Sequence, residues 1–197
     1  MSLRAAIAAF VMLLPAPASA ERIFTAFLGA VPDAETGFLD LAQAVGQTKS
    51  VWGVSVGTIN NVFGWELDAS ASPGFFSGNG DRPEIVSGSQ ASTVMLNAVF
   101  TVPRGWVGAA VRPYGVVGAG LVKVRIDDVS GLFPTDTLLG GMDIGGGVIA
   151  LPWRRLGARA DARYVRSQRK DDAEATLGFG PAFLDFWRVS AGVVVRF

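Results

Sequence analysis

The segment Val62–Ala71, which reads VFGWELDASA, alternates between apolar side chains and small or polar ones. Successive side chains of a β-strand point to opposite sides, so this segment would have two unlike faces. The apolar face holds Phe63, Trp65, Leu67, Ala69 and Ala71. The opposite face holds Gly64, Glu66, Asp68 and Ser70. One face suits lipid and the other suits water, which is the pattern of a transmembrane β-strand.

The same period of two recurs along the chain, most clearly at Ser92–Val102 and Leu156–Val165. Half of the sequence is hydrophobic, yet no stretch after Glu21 reaches the roughly 18 consecutive apolar residues of a transmembrane helix. We therefore predict an all-β chain. The pattern predicts strands at 22–30, 49–58, 62–71, 92–102, 111–126, 139–151, 156–167 and 183–197.

The connections between these segments alternate between long and short. The long ones, at 31–48, 72–91, 127–138 and 168–182, are rich in Gly, Pro, Asp and Ser, whereas those at 59–61 and 152–155 hold only a few residues. Bacterial outer-membrane barrels have short periplasmic turns and long outward loops, and an even strand number places both termini in the periplasm. The sequence thus predicts an eight-stranded antiparallel up-and-down transmembrane β-barrel. A soluble lipocalin-like meander, with an apolar interior, is the alternative that strand faces alone leave open.

Charged residues occupy alternate positions in the seventh segment, where Arg159, Asp161 and Arg163 lie opposite small or aromatic side chains. This spacing fits a strand that lines a polar lumen. The predicted lumen set is Glu66, Asp68, Asp143, Arg159, Asp161, Arg163, Arg188 and Arg196. An eight-stranded barrel is just wide enough to be filled by side chains, so we expect these charges to pair across the lumen. A narrow conduit is the alternative.

The aromatic residues sort toward the two ends of the proposed barrel. Those assigned to the short-turn end are Trp65, Trp106, Trp153 and Phe197. Those assigned to the long-loop end are Trp52, Tyr164 and Trp187. Amphipathic rings prefer the headgroup level on each side of a bilayer, so two belts favour a membrane barrel over a soluble one.

Residues 1–20 have the pattern of a secretory signal peptide: Arg4, the apolar run Ala5–Leu14, and the small residues Ala18-Ser19-Ala20 before the expected cleavage point. The apolar run is about half as long as a membrane-spanning helix, which disfavours an uncleaved anchor. We expect a barrel domain over 21–197, exported to the bacterial outer membrane as an integral protein. Equal numbers of basic and acidic residues, 17 of each, argue against a nucleic-acid partner.

The last strand ends with a terminal aromatic, Phe197, after apolar residues at every second position: Val189, Ala191, Val193 and Val195. This pattern resembles the C-terminal β-signal of bacterial outer-membrane proteins, which implies that these five residues are recognised by the barrel-assembly machinery. The stretch Arg112–Gly120, RPYGVVGAG, resembles the Pro-Tyr-plus-glycine strand of the small barrels related to the outer membrane protein A barrel and the opacity proteins. The resemblance extends over the mature chain and implies outer-membrane lipid as its surroundings.

The sequence favours a barrel without catalytic chemistry. Small outer-membrane barrels that act on lipid acyl chains typically use a histidine as the general base for a serine, and this chain contains neither histidine nor cysteine. No cofactor or metal site is predicted. The leading hypothesis is a non-enzymatic barrel that contributes to envelope structure or presents its loops to an extracellular partner of unknown identity, with Phe75 and Phe76 as candidate contacts. A small-solute conduit and a soluble periplasmic binder are the alternatives.

Overall fold

The computed structural model describes residues 21–32, 34–36, 48–75, 86–107, 111–128, 135–168 and 183–197. The strands in these ranges are β1 (Glu21–Val31), β2 (Ala34–Thr36), β3 (Lys49–Ile59), β4 (Phe63–Pro73), β5 (Val86–Thr101), β6 (Val111–Asp128), β7 (Thr135–Ala150), β8 (Leu156–Gln168) and β9 (Phe183–Arg196). One helical turn, α1 (Arg104–Val107), lies in the connection between β5 and β6. No helix within the described ranges is both long and apolar enough to span a membrane.

Eight of the strands form a closed antiparallel barrel in which each long strand pairs with the next along the chain. Pairing of β1 with β9, from Ile23↔Arg196 to Ala30↔Val189, closes the wall. The prediction of an eight-stranded up-and-down barrel is confirmed. Closure also gives every wall strand two hydrogen-bonded neighbours, so the membrane-spanning backbone has no open edge.

The predicted faces agree with the structure. On β4, Glu66 and Asp68 are buried in the lumen, whereas Leu67 between them is partly exposed on the outer wall. On β5, Leu96 and Val94 are at least half exposed, while Asn97 beside them is buried. The outer wall is therefore apolar and the lumen contains the charges, which is the opposite of a lipocalin.

Several strands extend further toward the long-loop end than the sequence pattern indicated. β5 begins at Val86 rather than Ser92, and β7 at Thr135 rather than Leu139. The short β2, inside the predicted loop 31–48, pairs with β9 beyond the end of β1. The reason is physical: beyond the bilayer the outer face of a strand meets water and can be polar, as at Gln90 and Ser92, so the apolar alternation that reveals a strand disappears.

The lumen is built in three layers along the barrel axis. A lower apolar layer lies near the short turns and contains Ile23, Ile59, Val99, Tyr114, Val116, Ile149 and Val194. An upper apolar layer lies near the long loops and contains Val31, Val51, Phe75, Ala91, Met95, Val122, Val124, Leu139, Val165, Leu184 and Phe186. The charged side chains lie between them, as β9 shows with Phe186 above Arg188 and Val194 below it.

Phe75 belongs to the upper apolar layer and is fully buried, so its proposed role as an exposed loop contact is wrong. The turn after β4 directs it inward: Gly74 has a φ of 67° and its N–H donates to the carbonyl of Ser89 at 2.7 Å. Such a left-handed backbone favours glycine. The Phe75 ring then meets Phe186 edge-on, with centroids 5.6 Å apart. Phe76 lies outside the described residues.

Candidate functional site

The middle of the lumen holds a cluster of ionisable side chains, which we call the charged layer. Its members are Glu66, Asp68, Asp143, Arg159, Asp161, Arg163 and Arg188, each at most 8% exposed. They come from β4, β7, β8 and β9, so the barrel brings together residues that are far apart in sequence. These are seven of the eight predicted lumen residues. The layer has one more carboxylate than guanidinium.

Glu66 is the central acceptor of the charged layer. One carboxylate oxygen forms a short ion pair with Arg159 and the other receives Arg163 Nη2 at 2.6 Å. Ser55 Oγ also donates to this carboxylate, at 3.2 Å. Charge-assisted hydrogen bonds are the strong ones, and both guanidiniums here are within a few per cent of full burial. Glu66 thus ties β4 to β8 across the lumen.

Asp68 and Arg188 form a bidentate pair between β4 and β9. Arg188 Nη1 and Nη2 reach the two carboxylate oxygens at 2.8 and 3.0 Å. Arg188 also donates to Ser70 Oγ at 3.0 Å, and its guanidinium lies over the ring of Phe27 at 4.9 Å. This planar arrangement matches the fork geometry that arginine offers and lysine does not.

Asp161 joins the charged layer to the lower apolar layer through Tyr114. The hydroxyl of Tyr114 donates to Asp161 Oδ2 at 2.8 Å and accepts from Arg159 Nε at 2.6 Å. Ser190 donates to the other oxygen of Asp161 at 3.0 Å. Tyr114, Ser190 and Ser55 were not among the predicted lumen residues. Their inward parity was visible in the sequence, but a lone hydroxyl carries no signal comparable to a charge.

Asp143 is bound through Asn97. The surrounding donors and acceptors assign the amide of Asn97: its nitrogen donates to Asp143 Oδ1 at 2.7 Å and its oxygen accepts from Arg163 Nη1 at 2.8 Å. Arg163 Nη1 also lies 3.5 Å from Asp143 Oδ2. Asn97 on β5 therefore links the Asp143 carboxylate on β7 to Arg163 on β8 through hydrogen bonds.

Glycines provide the space that the large charged side chains occupy. The inward positions of β6 and β7 at this level include Gly118, Gly145 and Gly147. A Cβ on Gly145 would come 2.9 Å from Arg163 Cγ, and one on Gly147 would come 2.6 Å from Asp161 Cβ. Gly145 and Gly147 thus make room in the lumen, as close packing between strands requires, while Gly146 between them has outward parity.

Arg196 is the predicted lumen residue that the structure places elsewhere. It has inward parity but lies beyond Val194 of the lower apolar layer, at the short-turn rim, with its side chain 27% exposed. It pairs with Glu21 at 3.1 Å and donates to the carbonyl of Arg154 at 2.8 Å. The alternation along a strand shows which face a residue is on but not its position along the barrel axis. For this reason the sequence placed Arg196 in the lumen rather than at the rim.

A buried arginine that the sequence analysis missed lies close to the same end. Arg112 is 3% exposed, and its Nη2 donates to the carbonyls of Asn60 and Asn61 and to Thr101 Oγ1 at 2.8–3.1 Å. It fastens the β3–β4 turn to β5 and β6 beneath the lower apolar layer. The sequence did contain an indication that Arg112 faces inward, because it lies at an even spacing from Tyr114 and Val116, which face the lumen.

Residues 6–197 match the family model described as "Outer membrane protein beta-barrel domain". The chain belongs to this family. The match covers the whole described barrel, and it makes the protein an integral outer-membrane barrel embedded in lipid. No match is found among curated proteins.

Solved structures of outer-membrane barrels share the fold at low sequence identity. Neisserial surface protein A superposes with a TM-score of 0.62 at 17% identity, over 90% of this chain and 99% of that one. OprG from Pseudomonas aeruginosa gives 0.54 at 14% identity, over 91% and 96%. The N-terminal barrel domain of Pseudomonas aeruginosa OprF gives 0.52 at 16% identity, over 90% and 97%. These likenesses show the fold.

In this outer-membrane barrel, the predicted interface aromatics lie on the outer wall or on its turns. Trp106 in α1 and Trp153 in the β7–β8 turn are 83% and 68% exposed at the short-turn end. Trp65 is partly exposed near the same end of β4. Near the long loops, Trp52 is exposed, and Tyr164 contacts Trp187 with ring centroids 5.4 Å apart. Tyr164 also donates to Asp185 at 3.1 Å.

The residues of the predicted assembly signal form one outward row on β9. Those exposed on the lipid side are Val189, Ala191, Val193, Val195 and Phe197. Phe197 follows the strand and its N–H donates to the carbonyl of Arg22 on β1 at 3.1 Å. The row therefore lies along the seam where the barrel closes.

Proposed function

We propose that this protein is a non-enzymatic, non-conducting outer-membrane barrel, whose role is to contribute to envelope structure or to present its surface loops. The observation that carries the proposal is the layered lumen. Ion-paired side chains fill the middle, and an apolar layer lies above and another below. An ion crossing this lumen would lose its water in two apolar layers and displace paired charges between them.

The proposal predicts that the purified barrel, inserted into a planar phospholipid bilayer, gives no stepwise conductance above that of the lipid alone. Insertion is checked by protease protection in vesicles made from the same preparation. A water-filled porin serves as the positive control for the recording. Reproducible single-channel steps from the inserted barrel would contradict the proposal and favour the solute conduit.

The layered lumen also leaves little for catalysis. Within the described residues, no three Asp, Glu, His or Cys side chains are arranged to hold a metal ion. Ser167 and Lys170 have Ser-x-x-Lys spacing, but Ser167 lies on β8, where its Oγ donates to the Leu184 carbonyl at 2.7 Å, and Lys170 lies outside the described residues. Lipid ester hydrolysis by the refolded protein should therefore equal that of protein-free vesicles.

We also propose that the outward row ending at Phe197 is the segment that the barrel-assembly machinery recognises. Phe197 is 55% exposed, so removing its ring costs little packing in the finished barrel. Phe197→Ala should lower the amount of barrel assembled in cells several-fold, while the purified variant refolds in detergent like the parent. Phe24→Ala, which removes another exposed outward ring from β1, is the control. A similar loss in both variants would argue for a general effect of lipid-facing aromatics.

A further inference from the structure

The short-turn rim has a groove on its outer side, between the β7–β8 turn and the end of β9. Its volume is about 1080 Å³. Apolar side chains of Leu156, Val195 and Phe197 line it and are 36–55% exposed on the lipid side. Arg154 and Arg155 also line it. The groove thus combines a lipid-facing apolar wall with two guanidiniums at its water-facing end.

The turn that carries these arginines is held in place by the rim. Arg196 donates from its side chain to the carbonyl of Arg154 and from its backbone to the carbonyl of Arg155, both at 2.8 Å. Glu21 in turn receives Arg196 Nη1 at 3.1 Å. Among the described residues, the exposed guanidiniums of Arg154 and Arg155 have no side-chain partner. The backbone is fixed, while the two positive charges face the groove.

We propose that this groove binds an anionic phospholipid of the inner leaflet, with the phosphate at Arg154 and Arg155 and an acyl chain along Leu156 and Val195. Three arginine side chains line the groove against one carboxylate side chain, that of Glu21, which pairs with Arg196; the charges of Arg154 and Arg155 are left to complement a phosphate. Its apolar wall continues the lipid-facing surface of β8 and β9, which a free anion would leave unused. The short turns of such barrels face the periplasm, which places the groove at the level of inner-leaflet headgroups. Trp153, 68% exposed at the same rim, suits that level as well.

The test is native mass spectrometry of the refolded barrel in detergent, with phosphatidylglycerol, phosphatidylcholine of the same chains, or inorganic phosphate added. We expect phosphatidylglycerol to be retained over phosphatidylcholine. The double variant Arg154→Gln/Arg155→Gln should weaken retention by about fivefold for each arginine removed. Arg154→Lys/Arg155→Lys, which keeps both charges, should retain most of the binding.

The matched control is Lys123→Gln/Arg125→Gln, which removes two exposed basic residues from the outer face of β6 at the opposite end. It should bind phosphatidylglycerol like the parent. An equal loss in both double variants would reduce the effect to net charge and overturn the site. Displacement of the lipid by an equal concentration of inorganic phosphate would show a simple anion site. Equal retention of the two lipids by the parent would also overturn the proposal.

Discussion

Replacing Arg163 with methionine is expected to lower the free energy of unfolding of this barrel by about 3–5 kcal/mol, the usual cost of removing one partner from a buried ion pair. Arg163 is 1% exposed and lies near four carboxylates: Glu66 at 2.6 Å, Asp161 at 3.4 Å, Asp143 at 3.5 Å and Asp68 at 3.6 Å. The charged layer already contains one carboxylate in excess. Losing Arg163 leaves four carboxylates against two guanidiniums between two apolar layers.

Urea unfolding of the barrel in phospholipid vesicles, followed by tryptophan fluorescence, measures this effect. The control is Arg166→Met, three residues further along the same strand but on the outer face, with a 62% exposed side chain. Its ion pair with Asp185 is 3.7 Å long, and exposed pairs of this kind contribute at most about 1 kcal/mol. Comparable losses in the two variants would contradict the importance of the buried layer.

A double variant distinguishes two possible causes of the cost of Arg163→Met, the loss of a positive charge and the loss of side-chain volume. If the cost of Arg163→Met comes from stranded carboxylates, adding Glu66→Gln should restore part of the stability. The two changes together would then cost less than their sum, as expected for residues in one network. A cavity left by the shortened side chain would instead give additive losses, because glutamine fills the same space as glutamate.

The sequence predicted which face of each strand points to lipid, because apolar lipid-facing residues and polar lumen-facing residues alternate with a period of two in a membrane barrel. Over Trp65–Ala69 of β4 and Ala158–Tyr164 of β8, outward uncharged residues alternate with inward charged ones, and the structure places each of these charges in the lumen. The same physics explains where the prediction stopped. Gln90 and Ser92 face outward near the start of β5, where water rather than lipid covers the wall, so apolar alternation no longer reveals the strand.

The depth and pairing of the lumen residues were not predictable from parity. Glu66 and Arg163 lie 97 residues apart in the chain and meet only because the barrel closes. Arg196 and Arg188 share a face of β9, yet Val194 separates the rim from the charged layer. The two apolar layers were missed because a single inward valine or isoleucine resembles any other strand residue. They become a layer only when eight strands are in register.

The glycines of β6 give the second large effect, and the strand contains its own control. A Cβ on Gly118 would overlap the amide of Asn97 and come 2.6 Å from the carbonyl of Leu96 and 2.7 Å from Asp143 Oδ1. A Cβ on Gly115, three residues earlier on the outer face, would have its nearest neighbour at 3.7 Å, the carbonyl of Gly145. The strand therefore has space for a side chain at Gly115 but not at Gly118.

Gly118→Val should accordingly prevent formation of the folded, heat-modifiable barrel or destabilise it by more than about 3 kcal/mol. Overpacking a dense interior typically costs 1–3 kcal/mol, and the displaced Asn97 and Asp143 would lose buried hydrogen bonds in addition. Gly115→Val adds an apolar side chain to the lipid-facing wall and should fold like the parent. Electrophoresis with and without boiling, after refolding into detergent, distinguishes the two. If both valines fold equally well, the lumen has room to spare at Asn97, and an interior filled by side chains cannot be the reason for its glycines.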